Sequence, residues 1–175
     1  MSVARTITAQ PTVPTGSVVT IEADLSRGLH AFTIVGLAGK AVEEAKDRVS
    51  AAIKNSGFQS PKQSNQKIVI SLAPADLKKE GPLYDLPIAM AYLTANGDIT
   101  PRSGGTAYIG ELGLDGSIRP VRGVLPAVQA LVEHGVDEVI VPEANAVEAA
   151  LVSGITVTPV RDLAAVVAHV DQNHP

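Results

Sequence analysis

The residues best equipped for chemistry stand between an apolar run, Ile68–Leu72, and an apolar stretch that opens at Asp85. They are Asp76, Lys78, Lys79, Glu80, Tyr84 and Asp85, interleaved with Gly81, Pro82 and Leu83. A loop held between a strand and a helix is a common place for reactive groups. Lysines and carboxylates this close offer proton transfer, or contact with phosphate or an acidic partner. Yet Leu83 and Tyr84, at the helix end of the loop, include no serine, cysteine or histidine. The loop has the setting of a reaction site and lacks a nucleophile.

Carboxylates for acid–base work can be drawn from Asp76, Glu80, Asp85 and Glu111. Asp85 stands where a helix begins, and its spacing reads as a cap accepting the first unpaired N–H groups. Lys78, Lys79 and Glu80 read as a solvated cluster or as phosphate contacts. Arg119 and Arg122 flank Pro120 and fit either a groove lining or an exposed hairpin end. Phe32–Ala41 has the outline of a phosphate loop, but only Leu37 and Ala38 separate Gly36 from Gly39, and Ala41 follows Lys40 where Ser or Thr would hold magnesium. A tight turn before a helix is the plainer reading. His134 falls at a helix end, His30 in a turn, and His169 and His174 in the tail; no spacing among them suits a metal. No Gly-x-Ser-x-Gly elbow nominates a serine.

The elements that must position these groups follow from periodicity. Arg5–Ala9, Val18–Asp24, Phe32–Val35 and Lys67–Leu72 read as strands, with Ser26–Gly28 as a turn that pairs the second and third antiparallel. Ala38, Val42, Ala45, Val49, Ala52 and Ile53 make one apolar helix face, supported by Glu44 and Arg48 at i, i+4 and closed at Gly57. Ser60–Gln66 is polar and reads as a mobile loop. A second helix spans Asp85–Ala95. Ala107–Gly110 and Ser117–Arg119 read as a hairpin around Leu114–Gly116. Beyond it come a helix at Leu125–His134, a strand at Glu138–Val141, a short helix at Asn145–Val152, a strand at Thr156–Val160 and a helix at Asp162–Val170 capped by Asp162. This alternation predicts parallel pairing through helical crossovers and an α/β fold with a mixed sheet.

The chain has 175 residues, 45% of them hydrophobic, enough for one domain with a core of its own. With aromatics at 3%, that core must be aliphatic. The absence of cysteine excludes disulfides and thiolate metal sites and fits a cytoplasmic setting. No signal peptide and no apolar run of about 18 residues is visible, so no membrane contact is expected. A net charge of −4 argues against a strong general nucleic-acid binder but leaves room for a local basic patch.

Several segments, in order, carry a resemblance. They are Gly28–Leu37, Val42–Val49, Ile53–Phe58, Leu72–Gly81, Tyr84–Ala89, Gly110–Gly116, Arg119–Pro126 and Val141–Asn145. In them the chain resembles the N-terminal domain of the ComM/YifB family, the magnesium-chelatase-related AAA+ proteins. The resemblance implies a Lon-protease-like fold, also called ribosomal-protein domain-2-like, as a single domain over residues 1–175. Lon-type peptidases use a Ser–Lys dyad, in which lysine takes the proton of the attacking serine. With Lys79–Pro82 set against the Lon loop before the serine and Pro120–Gly123 against the loop before the lysine, the resemblance puts Leu83 at the serine position and Ala127 at the lysine position, which implies a domain without peptidase chemistry. The resemblance also implies a following AAA+ module, absent from this chain, which would bring ATP and magnesium; no cofactor is expected here. Partners implied are that module, further copies in a ring, and DNA during branch migration and transformation, with Lys78, Lys79, Arg119 and Arg122 as candidate contacts. Two alternatives stay open: a residual hydrolase using Ser71 or Ser117, and a purely structural oligomerisation module.

Overall fold

A long antiparallel hairpin, β1 (Ser2–Thr12) and β2 (Thr15–Arg27), forms the middle of the molecule. The computed structural model describes residues 2–12 and 14–173; His174 lies outside them. Both strands extend well past their predicted bounds. On β2 the alternate residues Val19, Ile21, Ala23 and Leu25 are buried, as a period of two requires of a strand with one covered face.

The predicted partner of β2 is wrong. β3 (Ala31–Val35) pairs in parallel with β4 (Gln66–Ala73), and β4 lies between it and β2. The physical reason is burial. β4 places Ile68, Ile70 and Leu72 in the core, whereas β3 buries only Ile34 and leaves Thr33 and Val35 exposed. The more apolar strand takes the interior place and the weaker one the edge. The connection between them runs through α1 (Lys40–Glu43) and α2 (Ala45–Asn55), the predicted apolar helix interrupted at Glu44. Residues 60–66 are not a free loop: a 3₁₀ turn at Pro61–Gln63 is capped by Ser60, and both Ser60 and Pro61 are buried.

α3 (Asp85–Ala95) matches its predicted span and is buried at every position but Thr94, packed between the β1–β2 hairpin and α2. A helix apolar all round belongs in an interior. β5 (Thr106–Tyr108) joins the main sheet, parallel to β1 and β8 (Glu138–Pro142), so it is not a hairpin arm. The hairpin pairs β6 (Glu111–Leu112) with β7 (Ile118–Arg119). α4 (Val124–Glu133), a short α5 (Ala146–Ala149), β9 (Thr156–Val160) and α6 (Leu163–Val170) complete the chain close to prediction. Asp162 caps α6, accepting from Ala165 N–H at 2.7 Å. The sheet order is β3-β4-β2-β1-β5-β8-β9, antiparallel only at β4-β2-β1. Among the described residues no helix is long and apolar enough to cross a membrane.

Candidate functional site

Two loops leave the sheet side by side, one after β3 and one after β4, and they zip together. Lys79 N–H donates to Leu37 O at 3.0 Å, and Gly39 N–H donates to Lys79 O at 2.8 Å. Gly36 makes this possible. Its φ is +110°, and a Cβ there would collide with Leu72 O. The Gly36–Gly39 turn therefore serves a backbone approach, and the Gly36 carbonyl accepts from the Lys79 ammonium at 2.7 Å.

Lys79 is accordingly not a surface residue. Its side chain is fully buried, and its Nζ also donates to the Pro74 carbonyl. Burial pushes its pKa down, opposed by Asp76. A nucleic-acid contact through Lys79 is therefore corrected: its donors are committed to the fold. Lys78, one residue earlier, is exposed and pairs with Glu80 at 3.4 Å.

The anchor of this loop belongs to no motif that sequence reasoning singled out. Gln10, near the end of β1, donates from Nε2 to Lys78 O at 2.9 Å, and its Oε1 accepts from Glu80 N–H at 3.1 Å and from the Tyr84 hydroxyl at 2.5 Å. Burial pushes the Tyr84 phenol up. A glutamine next to the buried Ala9 in a strand was the available signal, since a buried amide must find partners.

Asp85 is the second correction. It caps nothing: no side-chain cap bond exists at the start of α3, and Leu86 N–H donates instead to Gly110 O at 3.0 Å. The Asp85 carboxylate accepts from Arg48 Nε at 2.7 Å and Nη2 at 3.0 Å, and from Leu112 N–H at 3.0 Å. Arg48 also donates to Ala41 O at 2.6 Å and lies 3.5 Å from Glu44. One buried carboxylate thus joins α2, α3 and the β6–β7 hairpin. Burial raises its pKa to about 6, against the pull of Arg48 and of the Leu112 amide. The hydrogen bond to Asp85 raises that of Arg48.

Between the loop and the hairpin lies a cleft of about 440 Å³. Leu83 forms part of its wall with Gln10, Pro11, Pro82, Val121 and Arg122, and Glu80 and Glu111 also line it. Leu83 is only 4% exposed. Ala127, on the buried face of α4, is 1% exposed and is not among the cleft residues. Close packing holds it there: a Cβ on Gly16 would collide with Pro126 O. The structure brings Arg122 into the cleft and leaves Arg119 exposed, opposite Glu111 across the hairpin. The exposed cations Lys78, Arg119 and Arg122 thus alternate with Glu80 and Glu111, and Asp76 is exposed outside the cleft.

The remaining candidates lie apart. Ser117 donates to Asp115 at 2.6 Å in the hairpin turn, and Ser71 is half-buried within β4. His169 is not in a loose tail but on α6, 2.8 Å from Glu138. His30 is exposed in the turn before β3, and His134 follows α4. Among the described residues no three histidines or carboxylates are placed to hold a metal ion.

The seven-stranded mixed sheet with its helices is a single α/β domain, and Lon proteases are among the proteins similar to it. Consistent with this, the Lon protease of Solibacter usitatus is 27% identical over 134 residues, 74% of this chain and 16% of that one. The chain belongs to the family of subunit ChlI of Mg-chelatase, whose model matches residues 21–145. The uncharacterized protein YifB of Salmonella typhimurium is 46% identical over 137 residues, and the competence protein ComM of Haemophilus influenzae 44% over 136. Each alignment covers 77% of this chain and 26% of the relative, so the chain spans about a quarter of the length of these proteins. The expected ComM/YifB relationship is borne out.

Proposed function

We propose that this domain is a non-catalytic accessory domain of a ComM/YifB-like AAA+ protein that acts on DNA in branch migration and transformation. It serves ring assembly and guides DNA along its loops. The observation that carries the reading is the state of the cleft. Leu83, which lines it, and Ala127, buried on α4 outside it, are the residues the Lon resemblance sets at the serine and lysine positions, and both are buried hydrocarbon. Neither side chain can attack a carbonyl or hold a proton. The two lysines and two arginines proposed for DNA reduce to Lys78, Arg119 and Arg122, which are exposed. They would engage phosphates, and binding through them would be salt-sensitive.

The test is charge reversal in the longer protein that carries this domain. Lys78→Glu, Arg119→Glu and Arg122→Glu together weaken DNA binding and flatten its salt dependence by roughly one unit for each phosphate no longer engaged. Unchanged affinity and slope would remove DNA guidance from the proposal. A serine-directed phosphonate leaves the domain unlabelled; labelling abolished by Ser71→Ala or Ser117→Ala would make it a hydrolase instead.

A further inference from the structure

A second recess opens at the other end of β1, around Arg5, five positions and roughly 17 Å along the strand from Gln10. Its volume is about 290 Å³. Arg5, Thr94, Arg102, Ser103, Gly104 and Gly105 line it, the last four belonging to the loop that leads into β5. Gly104 and Gly105 both take left-handed φ, +80° and +77°, so that part of the wall is bare backbone. Among the described residues the amides of Ser103, Gly104 and Gly105 donate to no protein acceptor. Two arginines, Arg5 and Arg102, thus line the same recess as a loop with uncommitted N–H groups.

We propose that this recess binds a phosphate group, held by Arg5 and Arg102 and by the amides of Ser103, Gly104 and Gly105. Guanidinium forks and clustered backbone amides are the donors that recognise tetrahedral oxyanions. The volume lies at the lower limit of small-molecule sites, about 300 Å³, which suits a phosphate with one attached group better than a whole dinucleotide. Three carboxylates stand near the recess without lining it. Glu22 lies 3.5 Å from Arg5, but both side chains are exposed, and such pairs exchange readily for a better anion. Asp137 stands against Gly105, and Glu138 borders the adjoining smaller recess, where His169 and Thr158 engage it. The phosphate can come from a nucleic-acid backbone or from a free phosphate compound. The site is independent of the cleft and of Lys78, Arg119 and Arg122.

The test is amide chemical-shift perturbation of the 175-residue chain with sodium phosphate, pyrophosphate and a short DNA duplex, against sodium chloride at matched ionic strength. Saturable shifts at residues 103–105 are expected with phosphate or pyrophosphate, and Arg102→Ala lowers that affinity roughly tenfold or more. Shifts of the same amides by the duplex, reversed by pyrophosphate, assign the phosphate to the nucleic-acid backbone; shifts by the free anions alone assign it to a free phosphate compound. The proposal is overturned by silence of these amides toward every probe, by equal shifts with chloride, or by wild-type affinity in Arg5→Ala and Arg102→Ala. The triple variant Lys78→Glu, Arg119→Glu, Arg122→Glu retains the loop shifts with phosphate, which separates this site from the DNA reading of the cleft.

Discussion

Arg48 and Asp85 form a two-pronged ion pair at 2.7 and 3.0 Å, with the carboxylate fully buried and the guanidinium largely so. The pair lies at the junction of α2, α3 and the β6–β7 hairpin, and through Leu112 it fixes the hairpin that carries Arg119 and leads on to Arg122. Breaking such a pair from one side leaves a charge without a partner in a low-dielectric interior. Arg48→Met is expected to destabilise the fold by about 3–5 kcal/mol, whereas replacing both partners with apolar residues recovers much of that stability. Urea denaturation of the two single variants and the double variant measures the difference.

The same carboxylate makes a signed contribution to pH dependence. Its folded pKa, about 6, lies above its ordinary value, so between about pH 4 and 6 the folded state holds the proton more tightly than the unfolded one. Asp85 therefore favours folding most below that window, and the contribution is lost as pH rises through about 6. Asp47, Asp115, Glu138 and Glu143, whose pKa values are lowered, act in the opposite sense. The Asp85 component is the difference between wild type and Asp85→Asn. Urea midpoints at about pH 4.5 and 7.5, on either side of the folded pKa, should converge or cross for the two proteins. A constant offset would rule out titration of Asp85 in this range.

Lys78 and Lys79 are neighbours with opposite roles. Lys78→Glu is a surface change and should leave stability within about 0.5 kcal/mol of wild type. Lys79→Glu would set a buried carboxylate against the carbonyls of Gly36 and Pro74, and destabilisation of about 3 kcal/mol or more is expected. Thermal unfolding distinguishes them. Weaker DNA binding in Lys79→Glu would report unfolding, so Lys78 is the position at which to test DNA recognition.

Gln10 satisfies three groups of the cleft loop at once. Gln10→Leu leaves Lys78 O, Glu80 N–H and the Tyr84 hydroxyl without their partner, with an expected cost of about 2–4 kcal/mol. Tyr84→Phe alone should cost less, and the double variant should be less than additive because the two share one bond. A strictly additive cycle would show that the Tyr84 hydroxyl bond contributes nothing.

Elements governed by near neighbours were legible from residue order. α3, β9 and α6 have their predicted bounds because apolar periodicity, a capping Asp162 and the closing Asn96–Gly97 act within a few residues of one another. Leu83 and Ala127 were equally legible as hydrocarbon, because identity alone settles what a side chain can donate. Partnerships across the chain were not. Whether β3 pairs with β2 or β4 depends on which strand buries more surface, a competition between segments far apart. Asp85 has the local spacing of a cap, yet Arg48, 37 residues earlier, claims its carboxylate. Lys78 and Lys79 are indistinguishable as adjacent lysines; they part only when the loop zips to Gly36–Gly39 and turns one ammonium inward onto two carbonyls. Local propensity reaches a few residues, while burial and hydrogen-bond satisfaction are set by the whole fold.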